Sequence, residues 1–245
     1  MSAPPYIRCE RLEKSFGTKA VLRGLSLDVR VGESLVVLGG SGSGKSVLLK
    51  HMNALLRPDA GEVLVDDVAL GPLAEDDLVR VRRDVAMLFQ QGALFDSLTI
   101  GENVAYPLRE HKTVLPDEIP ARVHAALETV DLAGTERQMP AELSGGMRKR
   151  AALARALVLE PRALLYDEPT TGLDPVVAAK INHLIRDLQR RLGVTSVVVT
   201  HDLASAFFVA DRIAFLHEGR IRFTGTPDEA RASADPFLRE FLTAA

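Results

Sequence analysis

Short apolar runs that end in polar or glycine-rich clusters set the pattern of this chain. Ser34-Leu35-Val36-Val37-Leu38 runs straight into Gly39, and Val85 to Phe89, Ala163 to Tyr166 and Ser196 to Val199 have the same character. Hydrophobicity that is continuous rather than alternating marks strands buried on both faces of a parallel sheet. Looser alternation in Tyr6 to Leu12 and Leu25 to Val31 predicts strands of another kind, as do Gly61 to Val65 and Val68 to Leu70 around Asp66-Asp67. These read as a small antiparallel group, and Ile213 to Leu216 with Arg220 to Phe223 flank the hairpin turn Glu218-Gly219.

Helical spacing follows Ser46 as far as the residues before Pro58, where helical geometry is disfavoured, and recurs in Leu78 to Arg83. From Gln91 to about Glu160 strand signals vanish. Helical periodicity takes over in Ile119 to Val130 and Met147 to Leu159, with Pro107, Pro116, Pro120 and Pro140 as punctuation. Val176 to Leu192 and Pro227 to Leu242 complete the expected helices. The whole predicts an α/β fold over residues 1–245: a parallel core, an antiparallel β-subdomain beside it, and a helical subdomain of about residues 91–160 inserted into the core.

Composition narrows the field. With 47% hydrophobic and 26% charged residues the 245-residue chain has ample material for a core, and its formal charge of −3 offers no global attraction to nucleic acid or anionic lipid. Trp is absent and Cys9 is the sole cysteine, which favours a reducing compartment. No stretch approaches the roughly 18 apolar residues of a membrane span. The N-terminus lacks the charged-then-apolar order of a signal peptide. A role at a membrane therefore calls for another chain to carry the membrane part.

The chemistry begins at Gly39-Gly40-Ser41-Gly42-Ser43-Gly44-Lys45-Ser46, which fits G-x-x-x-x-G-K-[ST] between a predicted strand and a predicted helix. Glycines let the backbone curl so that successive N–H groups face an anion, and the helix N-terminus adds partial positive charge. Lys45 then reaches the β- and γ-phosphates, and Ser46 offers a hydroxyl to Mg²⁺. The strand through Tyr166 ends in Asp167-Glu168. Carboxylates are costly inside a core, so the pair is expected at the carboxyl edge of the sheet, where open α/β sheets bind ligands. Neighbouring strand residues face opposite ways: Asp167 is placed to hold Mg²⁺, directly or through water, and Glu168 to polarise a water at the γ-phosphate.

His201 stands at the end of another apolar strand. A hydrogen bond to a γ-phosphate oxygen or to the attacking water competes there with a structural role. Gln90, after Val85 to Phe89, is either a Mg²⁺ or water ligand or a surface glutamine. Leu143-Ser144-Gly145-Gly146-Met147 opens a helix with Ser144 as N-cap candidate and glycine N–H groups open to an anion. Arg148, Lys149 and Arg150 follow where the helix dipole prefers acids, which fits a docked phosphate or a solvated basic face.

In this order Gly39–Ser46, Gln90, Leu143–Met147, Ala163–Glu168, Gly172-Leu173-Asp174 and His201 resemble the motifs of ABC-transporter ATPases, and the resemblance covers roughly Tyr6 to Leu242. It implies a P-loop NTPase with a RecA-like core that hydrolyses ATP with Mg²⁺ to drive transport. It also implies a head-to-tail dimer of two copies, each ATP lying between Gly39–Ser46 of one and the signature of the other. Ser144 and Gly146 then contact the γ-phosphate in trans, with Gly145 and Asp174 at the same composite site. Glu168 is the general base, and Phe16 stacks on adenine, Tyr6 being the other upstream aromatic. Met147 replaces the family's usual Gln. The stretch Leu143 to Arg150 that contains it, with Phe89 to Thr99 and Asn103 to Glu110, resembles the Mla/Mce lipid-transport subgroup.

The subgroup implies phospholipid movement that maintains outer-membrane lipid asymmetry. Its partners would be an MlaE-like integral membrane permease and a small regulatory subunit, its place the cytoplasmic face of the inner membrane, and no nucleic acid would be involved. Phe95, Leu98 and Tyr106 then line the permease's docking groove, unless they are ordinary core. An importer subunit for an amino acid or a metal is the alternative; a soluble ABC ATPase would be expected to show tandem cassettes or long basic insertions.

Overall fold

The computed structural model describes residues 5–112 and 114–244. The chain opens with β1 (Pro5–Phe16), β2 (Lys19–Arg30) and β3 (Ser34–Leu38), then α1 (Lys45–Met52), β4 (Ala60–Val65), β5 (Val68–Ala69), α2 (Glu75–Asp84) and β6 (Val85–Leu88). Helices α3 (Ile100–His111), α4 (Ile119–Thr129) and α5 (Gly145–Leu157) follow, with a 3₁₀ turn at Pro140–Glu142. The last part is β7 (Ala163–Asp167), α6 (Pro175–Leu192), β8 (Thr195–Thr200), α7 (Leu203–Val209), β9 (Arg212–His217), β10 (Arg220–Gly225), α8 (Pro227–Arg231) and α9 (Pro236–Ala244).

Two sheets result. One has the order β2-β1-β4-β5 and is antiparallel throughout; the other is β10-β9-β3-β8-β7-β6, parallel except for the β9–β10 hairpin. Every residue of β3, β7 and β8 is buried, as their unbroken apolar runs require. The period of two divides them cleanly. Val36, Leu38, Leu164, Tyr166 and Val198 face the side packed by α5, α6 and α7, whereas Leu35, Val37, Leu165, Val197 and Val199 face α1 and the antiparallel sheet. Residues at the strand ends inherit this parity, which decides where the polar groups emerge.

The antiparallel strands run longer than the alternation predicts, because bulges in β1 repair the register. It shifts between Cys9 and Leu12, where Arg11 takes φ +49. Gly61 lies against this bulge: a Cβ there would meet the Glu10 and Arg11 carbonyl oxygens at 2.4 and 2.3 Å. Between β6 and β7 the regular elements among the described residues are all helical, in keeping with the loss of strand signals. Helix α3 carries Pro107 inside it, which removes one backbone donor. A capping box offsets that defect: Thr99 Oγ1 accepts from Glu102 N at 3.2 Å, and Glu102 Oε2 accepts from Thr99 N at 2.8 Å. The single helix expected over Pro227 to Leu242 is two helices. The chain breaks ahead of Pro236, which disfavours helical geometry in the residue before it.

Candidate functional site

The loop Gly39–Ser46 joins the buried end of β3 to α1 and shows why glycine is needed at two points. A Cβ on Gly39 would lie 2.4 Å from the Leu216 carbonyl oxygen, and Gly44, the N-cap of α1, has φ +108. Lys45 turns back into the loop, its Nζ donating to the Gly39 and Gly40 carbonyls at 2.8 and 3.0 Å. Gly42 has φ +75, a turn that glycine takes without strain.

Parity then places the acids. Asp167 continues the side of β7 that carries Ala163 and Leu165, the side of α1, and Ser46 Oγ at the start of α1 donates to Asp167 Oδ1 at 2.7 Å. Burial pushes the Asp167 carboxyl up, against the pull of the Ser46 bond. Glu168 leaves the strand in a left-handed turn, φ +48, and its Oε1 lies 3.4 Å from Lys45 Nζ. His201, just beyond β8, places Nδ1 3.0 and 2.9 Å from the two Glu168 oxygens, and Thr171 Oγ1 donates to Glu168 Oε2 at 3.1 Å. Burial works against the Glu168 carboxylate, but His201, Lys45 and Thr171 together hold it below the ordinary glutamate range. Asp167 and Glu168 are thus chemically distinct neighbours.

Lys45, Ser46, Glu168 and His201 open into a cleft of about 780 Å³ at the carboxyl edge of the parallel sheet, whereas Asp167 does not line it and is linked to it through Ser46. Gly40, Ser41, Gly42, Gly44, Lys45, Ser46, Gln90, Glu168 and His201 line it, with Phe16 at the rim. Phe16 is 49% exposed, whereas Tyr6 is buried under the Arg162 guanidinium, so of the two upstream aromatics only Phe16 reaches the cleft. Lys19, Val21 and Phe241 also line it and were not anticipated; they come from the β1–β2 hairpin and from α9, remote in sequence from any motif. Thr171 was missed as well, although its place three residues after Glu168 is a readable signal.

The signature lies elsewhere. Ser144 caps α5, Oγ accepting from Met147 N at 3.3 Å, and neither it nor Gly145 nor Gly146 borders the cleft of its own chain. Asp174 is likewise away from the cleft. Its Oδ1 accepts from Val176 N and Val177 N at 3.1 and 3.0 Å, capping α6. The basic trio divides: Lys149 is buried, Arg150 is half-buried and Arg148 is exposed, and each donates to a backbone carbonyl. Arg148 donates to the Leu143 carbonyl, Lys149 to that of Glu168, and Arg150 to those of Val130 and Asp131. Phe95 and Tyr106 are each 42% exposed, their ring centroids 4.9 Å apart, and Leu98 is half-buried beside them.

Residues 22–171 match the ABC transporter family. The chain is 42% identical over 236 residues to the probable ribonucleotide transport ATP-binding protein mkl of Mycobacterium leprae, covering 96% of this chain and 68% of that protein. It is 40% identical over 226 residues to the intermembrane phospholipid transport system ATP-binding protein MlaF of Escherichia coli K12, covering 92% and 84%. Among solved structures it superposes on the ATP-binding cassette MJ0796 in a dimeric post-hydrolysis state bound to ADP and Pi, with a TM-score of 0.82 at 34% identity, covering 90% of this chain and 98% of that one. The chain belongs to the ABC transporter family, as one of its ATP-hydrolysing cassettes.

Proposed function

We propose that this chain, as a single nucleotide-binding domain, powers phospholipid movement through a separate membrane permease. The observation that carries the chemical part is the convergence of Lys45, Ser46, Glu168 and His201, from α1 and beyond the ends of β7 and β8, on one cleft, with Asp167 hydrogen-bonded to Ser46. The loop N–H groups and Lys45 bind the phosphates of ATP, and Phe16 supports the adenine. Ser46 Oγ and Asp167 Oδ1 are hard oxygen donors 2.7 Å apart and suit Mg²⁺. A cation held there would act as a Lewis acid toward the phosphates. Gln90 reaches the same region from the end of β6.

Glu168, held ionised by its neighbours, takes a proton from the water that attacks the γ-phosphorus. The bond from that phosphorus to the bridging oxygen breaks, and ADP and inorganic phosphate leave. His201 keeps the Glu168 carboxylate aimed through its Nδ1 hydrogen bond. The phosphate donors still missing are Ser144, Gly145 and Gly146 of a second copy, with Asp174 beside them, so the competent unit is a head-to-tail dimer. The solved cassette it resembles is dimeric. Glu168→Gln should bind ATP and dimerise but lose about 10²–10⁴ in turnover, the usual worth of a general base. A wild-type rate in that variant sinks the assignment.

Phospholipid as cargo is supported by the name of MlaF, of which this chain spans 84%, and by the segment from Phe89 to Glu110. Among the described residues no helix is long and apolar enough to cross a membrane. The proposal assigns the membrane part to a separate, MlaE-like permease, and the resemblance to MlaF supports the cytoplasmic face of the inner membrane as the site of action. The exposed Phe95–Tyr106 pair is apolar surface suited to receive it. A small regulatory subunit is part of the same reading. The mycobacterial relatives are named instead for ribonucleotide transport. Purification from membranes distinguishes the two: co-purifying phospholipid with a permease supports the first, and nucleotide-dependent uptake of ribonucleotide by the same complex overturns it.

A further inference from the structure

Lys149 has no part in this scheme, yet it is buried directly behind the proposed base. It is 7% exposed, and its Nζ donates to the Glu168 carbonyl oxygen at 3.3 Å. Among the described residues the ammonium forms no ion pair; burial pulls its pKa down while the charges of Glu168 and Asp167 pull it up. A lysine kept in so costly a place is doing more than filling space. What it touches is the one strained residue of the cleft. Glu168 has φ +48, a conformation that L-residues avoid unless their surroundings impose it.

Three contacts impose it on the backbone. The Glu168 N–H donates to the Val199 carbonyl at 3.0 Å, and the Glu168 carbonyl accepts from Thr171 N and from Lys149 Nζ, each at 3.3 Å. Val199 lies on the adjacent strand and Thr171 in the same loop. Lys149 alone comes from α5, whose first turn displays Ser144, Gly145 and Gly146. We propose that Lys149 is a positioning residue for Glu168. It fixes the left-handed turn that aims the carboxylate into the cleft, and it makes that aim depend on where α5 stands. The helix that completes the partner copy's site thereby sets the base of its own. A charge-assisted bond suits the task, because a neutral apolar side chain of similar length fills the space without holding the carbonyl.

The inference rests on the reading of Glu168 as general base, and the experiment separates the two. ATP turnover and ATP binding are measured for the full chain carrying K149M, K149Q or K149R, and for E168Q with and without K149M. K149M is expected to lower kcat at least about tenfold with KM for ATP within about twofold, a loss confined to the transition state. K149Q and K149R, which keep a donor, should recover to within about threefold of wild type. A lysine that only supports the fold would shift kcat, KM and Tm together and gain nothing from Gln. Because both residues act through one group, E168Q with K149M should turn over no more slowly than E168Q and should still dimerise with ATP. A wild-type kcat in K149M, a K149Q as slow as K149M, or a double variant slower than E168Q each overturns the proposal. K149A supplies the same comparison if K149M does not fold. A wild-type rate in E168Q removes the base assignment instead, whatever the lysine variants do.

Discussion

His51 illustrates how a residue outside every motif conditions the site. It is 1% exposed on the helix that carries Lys45 and Ser46, and its Nδ1 donates to the Val47 carbonyl one turn back at 2.7 Å. Burial, the largest influence, lowers its pKa from 6.5. The sign follows: the unfolded chain takes up a proton below about pH 6.5, which the folded chain refuses until lower pH. Stability is therefore complete above that value and falls as the pH drops below it, by at most about 1.4 kcal/mol per pH unit for one proton. Urea titrations between pH 8 and pH 5 should show this slope in the wild type and a flatter one in His51→Leu; identical slopes would place the acid sensitivity elsewhere. The sequence pattern marks α1 as a helix but not His51 as buried, since burial depends on the partner surface. By contrast strand parity separates Asp167 from Glu168 in the sequence, although only the fold shows that the side Asp167 takes is that of α1 and Ser46.

At the scale of elements, β3, β7 and β8 were legible because each is buried on both faces and needs no alternation to place it. The place of Arg150 was not, because it donates to the carbonyls of Val130 and Asp131, which lie about twenty residues upstream and are brought near only by the fold. Gly146 belongs to the same class. It reads as a phosphate-contacting glycine, yet a Cβ there would lie 2.4 Å from Val177 Cγ1, so its absence of a side chain also sets the approach of α5 to α6. Gly146→Ala should force the two helices apart and cost about 1–3 kcal/mol, the range for overpacking a close contact. Differential scanning calorimetry of the chain without nucleotide isolates that packing effect from any effect on phosphate. An unchanged Tm would mean that Val177 moves aside freely and that this glycine serves the phosphate alone.

On the scale of the whole molecule, the two sheets must be joined rigidly if Phe16, from one, is to share a cleft with the loop after β3 of the other. The joint is polar and buried. Glu33, just before β3, pairs with Arg212 of β9 at 3.0 Å, and Arg212 also donates to the Asp28 carbonyl on β2. Glu33 and Arg212 are 8% and 9% exposed, and burial raises the Glu33 pKa against the pull of the Arg30 backbone N–H and Arg212. Removing one partner strands a buried charge. Glu33→Gln should therefore cost about 3–5 kcal/mol, whereas replacing both, as Glu33→Leu with Arg212→Met, should recover most of that loss. The joint's second effect is geometric: if it holds Phe16 over the cleft, Glu33→Gln should weaken ATP binding even well below its melting temperature, and the apolar pair should restore stability more fully than affinity. Equal recovery of both would reduce the ion pair to a packing contact and leave the placement of Phe16 to the β1–β2 hairpin itself.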